Sequence, residues 1–163
     1  EQGAQLAILG TGEWGLELGC RDAALAHPGR MGTMLAFDEG LARLMYGGAD
    51  VMLVPSRFEP CGLAQLCALH YGALPLVAHV GGLVDTVIDA NDMALADGCA
   101  TGLHFSPPTR DMLEAAIGRM GDLWRDAAAF KRCQSNAMRA DVSWSRSATR
   151  YAALYRDAIA HAA

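Results

Sequence analysis

The sequence predicts an α/β fold, a doubly wound parallel sheet that gives way to a helical C-terminal tail. Three observations lead there. Short apolar runs alternate with longer amphipathic stretches as far as Phe105, the order that builds parallel strands joined by crossover helices. Val51–Val54 is apolar at every position and is stopped by Pro55, the pattern of a strand covered on both faces. Beyond Pro107-Pro108 the strand pattern ceases and helical spacing takes over.

Taken in order, Leu6–Leu9 is the first expected strand, ending at Gly10-Thr11-Gly12. A Gly-x-Gly turn after a strand is weak support for nucleotide binding, because ordinary βα units use the same turn. Glu13–Ala26 carries Leu16, Cys20, Ala24 and Leu25 at helical spacing, and His27-Pro28-Gly29 stops it. A strand over Met31–Phe37 leads to Asp38-Glu39, whose charges suit the positive end of a helix over Leu41–Tyr46. Gly47-Gly48 closes that helix. The strand Val51–Val54 runs into a loop holding Glu59, Pro60 and Gly62, then a helix with Leu63, Leu66, Cys67 and His70 on its spacing. A second strand, Leu74–Val80, ends at Gly81-Gly82. A further helix is expected to open at Asp85, as its N-cap, and to cover Thr86–Asn91. Asn91–Cys99 reads as a polar loop and Gly102–Phe105 as the last strand. Tail helices follow over Asp111–Trp124, capped by Thr109 or Asp111, over Ala127–Ala140, and over Ser147–Ala162. Trp124, Phe130, Met138, Trp144, Tyr151, Leu154 and Tyr155 are the expected docking surface of these helices. The expected division is residues 1–106 for the sheet core and 107–163 for helices packed on it.

At 163 residues the chain is long enough to bury a core. Its 52% apolar content and 18 glycines fit a folded α/β domain and exclude a disordered one. The net charge of −5 argues against non-specific nucleic-acid binding. No apolar run is long enough to cross a membrane, and no signal peptide is visible. The five cysteines (Cys20, Cys61, Cys67, Cys99 and Cys133) are an odd number without a CxxC pair, so neither a disulfide framework nor a metal site is indicated. A reducing cytoplasm is the simplest compartment.

The two loops after the adjacent strands concentrate the chemistry. Each would present backbone N–H groups at a helix start, at the carboxyl edge of the sheet, where ligands of open α/β folds bind. Two such loops side by side suggest a phosphate-bearing ligand, with Glu59 facing what the phosphate carries. The bland reading of Glu59 is an exposed loop acid, and its place between a buried strand and a Pro-Cys-Gly turn makes the two readings about even. Gly62, Leu63, Gly81, Gly82 and Leu83 would offer main-chain N–H groups, the glycines letting a ligand approach without a Cβ in the way. Cys61 reads as a small residue of a packed turn, not a nucleophile, since no histidine pairs with it in sequence. Phe37, at a strand end, is a core or stacking candidate. Arg57 is either a phosphate partner or a solvated loop arginine. His70, His79 and His104 lack metal-ligand spacing and read as satisfied structural histidines.

The run PSRFEPCGLAQL, followed by LHYGALPLV and VGGLVDTV, closely resembles bacterial glycogen synthases and plant starch synthases. Upstream, QLAILGTGE, the Phe37-Asp38-Glu39 segment and GGADVMLVPS extend the resemblance to residues 1–105, and the tail matches more loosely. It implies the Rossmann-like C-terminal domain of a two-domain GT-B glycosyltransferase. The implied reaction moves glucose from ADP-glucose to the non-reducing end of an α-1,4-glucan with retention, by front-face attack assisted by the leaving phosphate and without a cofactor or metal. The resemblance places Glu59 against the donor glucose. It places Cys61, Gly62, Leu63, Gly81, Gly82 and Leu83 around the pyrophosphate and sugar, and Phe37 on the adenine.

Where many related transferases carry a second glutamate, this chain has Cys67, which fits glycogen synthases better than the wider superfamily. Val80 replaces a frequent threonine and leaves the backbone contacts intact. The family's first βα unit, with an arginine and a lysine for the donor phosphates, and its acceptor-binding N-terminal domain have no counterpart here. The chain is therefore expected to be a C-terminal piece, inactive alone. Two alternatives stand beside this: a related transferase with another nucleotide sugar, and a non-catalytic binding or assembly module of the same fold.

Overall fold

The computed structural model describes residues 3–162. Residues 1, 2 and 163, the outer ends of the two expected spans, lie outside the described residues. The elements run β1 (Leu6–Leu9), α1 (Trp14–Ala26), β2 (Met31–Met34), α2 (Glu39–Gly48), β3 (Val51–Val54), α3 (Ala64–Tyr71) and β4 (Leu74–Ala78). They continue with α4 (Gly82–Thr86), α5 (Asp92–Ala96), β5 (Leu103–Phe105), α6 (Arg110–Arg125), α7 (Ala127–Arg139) and α8 (Trp144–Ala162). Each ladder is parallel, as crossover helices require: β1 with β2, β3 with β4, and β4 with β5. Among the described residues the ladders form two groups, β1-β2 and β3-β4-β5, where the sequence predicts one sheet. α2 packs on β1 and on α3 and so spans the two groups.

β4 is the centre of the core, buried at all five positions. Its two faces are covered by different partners. Leu74, Leu76 and Ala78 join Leu69, Leu103, Phe105, Met120, Leu123, Phe130 and Cys133. Val77, on the alternate face, joins Val54, Leu83 and Val87. This is the two-sided burial that turns a strand into a continuous apolar run. Residues 3–53 contain no fully buried position, so the core lies between Val54 and Ala137.

Several expected boundaries move, each for a local reason. β2 stops at Met34, not Phe37, because its partner β1 ends at Leu9, opposite Met34. β4 stops at Ala78, not Val80, where Val80 N–H turns back to the Ala78 carbonyl. The α2 helix is longer than predicted, starting at Glu39 with the Asp38 carboxylate capping Leu41 N–H at 2.8 Å. The helix predicted over Thr86–Asn91 is instead α4, one turn earlier, and Asp85 lies inside it. Gly81 is its N-cap, without a side-chain cap. Residues 87–90 are extended because Ile88 and Ala90 bond to Thr101 and Gly102 beside the sheet. Asn91–Cys99, expected as a loop, contains α5, capped by the Asn91 side chain on Ala94 N–H at 3.0 Å. Thr109, of the two caps considered, is the one that caps α6.

The predicted docking surface of the tail is the largest difference. Phe130 is buried, but Trp124, Met138, Trp144, Tyr151, Leu154 and Tyr155 are exposed, Trp144 at 78%. α6 packs on the sheet and on α7, and α7 on the sheet and on α3, with the small residues Ala116, Ala129 and Ala137 buried beside Met120, Leu123 and Phe130. From Trp144 to His161 every α8 residue is exposed apart from the half-buried Ser147, so α8 is not packed on the core.

Candidate functional site

The site candidate is the carboxyl edge of β3 and β4. After Val54, the chain makes an open loop through Pro55, Glu59 and Pro60, turns at Gly62 with φ +76°, and enters α3 at Ala64. After Ala78 it turns at Gly81, φ +49° and ψ −139°, and enters α4 at Gly82. The two loops touch through their backbones, Gly82 N–H donating to the Glu59 carbonyl at 3.1 Å.

This contact explains the glycine pair. A Cβ on Gly81 would stand 1.8 Å from the Glu59 carbonyl oxygen, and one on Gly82 would stand 2.8 Å from Cys61 Cα. The space these glycines leave is filled by the neighbouring loop, where the sequence suggests the approach of a ligand. Gly62 is constrained similarly, because a Cβ there would lie 2.3 Å from Gln65 Oε1.

The predicted residues separate into three groups. Glu59 is half-buried, and its carboxylate accepts from Ser56 Oγ at 3.4 Å. Leu63 and Phe37 are exposed, at 74% and 92%, so Phe37 is no core residue. Cys61 is exposed and contacts the Gly62 carbonyl through Sγ at 3.8 Å, with no imidazole bonded to it. The N–H groups of Cys61, Gly62, Leu63 and Gly81 donate to no acceptor among the described residues. Those of Gly82 and Leu83 are already engaged, with the Glu59 and Val80 carbonyls, and the Leu83 side chain is fully buried. α4 is a single turn of five residues, whereas α3 runs for eight and carries the stronger dipole. Anion-binding capacity therefore concentrates at the start of α3 and at Gly81 N–H.

The weak Gly10-Thr11-Gly12 signal is absorbed within the chain. Gly12 N–H donates to the Glu17 carboxylate at 2.8 Å, so the chain's own acid occupies that helix start. Arg57 and His70 are exposed loop and helix-end residues.

The histidines after β4 and in β5 form a pair that the sequence spacing does not reveal. His79 and His104 face one another with their Nδ1 atoms 3.0 Å apart. His104 Nε2 is buried without a partner, contrary to the expectation of a satisfied histidine. Burial pushes the His104 imidazole below its usual range. Asp89 and the Val87 backbone carbonyl oppose that shift, while His79 and Arg119 add to it. Asp89 accepts from His104 N–H at 2.7 Å and pairs with Arg119 at 3.0 Å, tying the segment before α5 to β5 and α6.

Two residues that the sequence reading passed over stand between the loops. Gln65 is fully buried and Thr86 ends α4, and their side chains bond to each other and to both loops. A glutamine among the apolar positions of a short buried helix is the signal that could have identified the first.

Residues 1–137 match the model of the family described as glycosyl transferases group 1. The chain is 57% identical over 159 residues to a glycogen synthase of Rhodopseudomonas palustris (strain BisB18), covering 98% of this chain and 32% of that protein. It is 55% identical over 157 residues to the glycogen synthase of Methylocella silvestris, covering 96% of this chain and again 32% of the relative. The chain thus spans about a third of the length of these curated relatives. Its fold is similar to the catalytic domain of starch synthase IV from Arabidopsis thaliana bound to ADP and acarbose, with a TM-score of 0.77 and 23% identity. That match covers 98% of this chain and 39% of the solved one.

Proposed function

The chain belongs to the glycosyl transferases group 1 family, and on that premise we propose that it forms the sugar-donor half of a retaining glycogen synthase. The reaction is transfer of glucose from ADP-glucose to the non-reducing end of an α-1,4-glucan. The observation that carries this reading is the seam between the two loops. It brings the Glu59 carboxylate and the free N–H groups of Gly62, Leu63 and Gly81 to one edge of the sheet. The shared length with glycogen synthases at 55–57% identity supports the choice within the family.

In this scheme the N–H groups of Gly62 and Leu63, at the positive end of α3, receive the pyrophosphate, and Gly81 N–H adds a third donor. Glu59 hydrogen-bonds the glucose hydroxyls and balances the positive charge that develops at the anomeric carbon. Cys61 lines the pocket and Phe37 stacks on the adenine. Gly82 and Leu83 act by fixing the loops, since their own N–H groups are engaged. The acceptor glucan is held by the part of the relatives' length that this chain does not span, which puts the complete reaction in a cleft between two domains. A cytoplasmic enzyme needing neither metal nor organic cofactor is the matching assignment. Among the described residues no helix is long and apolar enough to cross a membrane.

Calorimetric titration of the chain with ADP, UDP and ADP-glucose tests the proposal. ADP should bind in preference to UDP. Glu59→Ala should leave ADP affinity unchanged and weaken ADP-glucose by about tenfold or more, the loss of a charge-assisted hydrogen bond. Binding of neither nucleotide, or equal losses for ADP and ADP-glucose, overturns it.

A further inference from the structure

Gln65 is an unusual residue for its position. It sits on α3, with no exposed surface, against the turn that precedes its own helix. Its Nε2 donates to the Cys61 carbonyl at 2.9 Å, the Gly62 carbonyl at 3.0 Å and Thr86 Oγ1 at 3.2 Å, two of these acceptors sharing one of its two hydrogens. Thr86 Oγ1 in turn donates to the Gly82 carbonyl at 2.8 Å. One continuous path of hydrogen bonds therefore runs from the Cys61–Gly62 turn, through two side chains, to the first residue of α4. The amide orientation follows from the partners, because a flipped Gln65 would set its oxygen against two carbonyl oxygens.

The same side chain carries a liability. Gln65 Oε1 is buried and has no donor. A buried acceptor without a partner costs free energy that a leucine or methionine of similar volume would not. The Nε2 bonds to the Cys61 and Gly62 carbonyls and to Thr86 are set against that cost, and what they supply is the link between the loops. The link also acts where the loops are otherwise least constrained. Cys61, Leu63 and Gly81 are exposed, and the Gly82–Glu59 backbone bond is the one direct hydrogen bond joining the two turns among the described residues.

We propose that Gln65 and Thr86 are positioning residues that lock the Glu59–Leu63 loop to the Gly81–Thr86 turn. The lock sets the N–H groups of Gly62, Leu63 and Gly81 and the Glu59 carboxylate in place before the nucleotide sugar arrives. This rests on the donor-site reading above and deepens it. Amides fixed in advance spend no binding free energy on ordering two loops, which is the advantage of preorganisation. Neither residue need touch the ligand.

The test is a set of four variants of the chain, titrated with ADP well below each variant's melting temperature. Gln65→Met and Thr86→Val each cut the path with little change of volume. Each should weaken ADP about tenfold, the equivalent of one well-made hydrogen bond. The double variant should be no weaker than either single one, because the path is already broken. Thr86→Ser, which keeps the hydroxyl, should restore wild-type affinity. Melting temperatures measured in parallel separate positioning from support. If the substitutions lower the melting temperature but leave ADP affinity of the folded chain unchanged, the inference is overturned and the donor-site reading survives. Additive losses in the double variant overturn the lock as a single unit. If the unsubstituted chain binds neither ADP nor UDP, the donor-site reading fails and this inference fails with it.

Discussion

The clearest consequence of the two-loop seam is the effect of a single methyl group at Gly81. Its backbone, at φ +49° and ψ −139°, lies in a region that costs an L residue about 1–3 kcal/mol. The added Cβ would also stand 1.8 Å from the Glu59 carbonyl oxygen. Carbon and oxygen come no closer than about 3.3 Å even in attractive contacts, so the loops must part by roughly 1.5 Å. That separation breaks the 3.1 Å bond from Gly82 N–H to Glu59, a further loss of about 1 kcal/mol. Gly81→Ala is therefore expected to destabilise the chain by about 2–4 kcal/mol, or roughly 5–15 °C in melting temperature for a protein of this size. Gly118→Ala is the internal control. Gly118 lies within α6 and an added Cβ there meets nothing within 4 Å, so this variant should gain about 0.5–1 kcal/mol. Both are measured by thermal and urea unfolding followed by circular dichroism, with ADP titration alongside. A Gly81→Ala chain that melts within a degree of wild type and binds ADP equally would refute the reasoning, because the loops would then not be in contact.

Two further outcomes follow from the chemistry beside the site. Because burial holds the His104 imidazole below its ordinary value, the unfolded chain binds the more protons as pH falls below about 6.5. Stability should be full above that value and decline as pH drops through the lower folded one, and His104→Gln should flatten the slope; unfolding curves between pH 5 and 7.5 that show no decline would exclude it. In the tail, Phe130→Ala should cost about 3–5 kcal/mol for a buried aromatic, whereas Trp144→Ala, on the exposed α8, should stay within about 0.5 kcal/mol, as chemical denaturation of the two variants would show.

What the sequence determined by itself is the set of properties carried by local pattern. The apolar run Val51–Val54, the alternation of strands and helices, and the Pro107-Pro108 break follow from periodicity and turn residues, which act over a few positions. The motif around Glu59 also names the family, since so long a string of specified residues seldom recurs by chance. What the tertiary structure decided is everything that depends on which segments meet. That Gly81 and Gly82 make room for the Glu59–Cys61 backbone, that the Gly82 N–H is already engaged by Glu59, and that Gln65 reaches Thr86 are contacts across about twenty positions of sequence, which no local propensity encodes. The same holds for the His79–His104 pair, brought together when β4 aligns with β5. The aromatic residues of α8 make the converse point. Their helical spacing is plain in the sequence, but periodicity reports that a face is apolar and not what covers it.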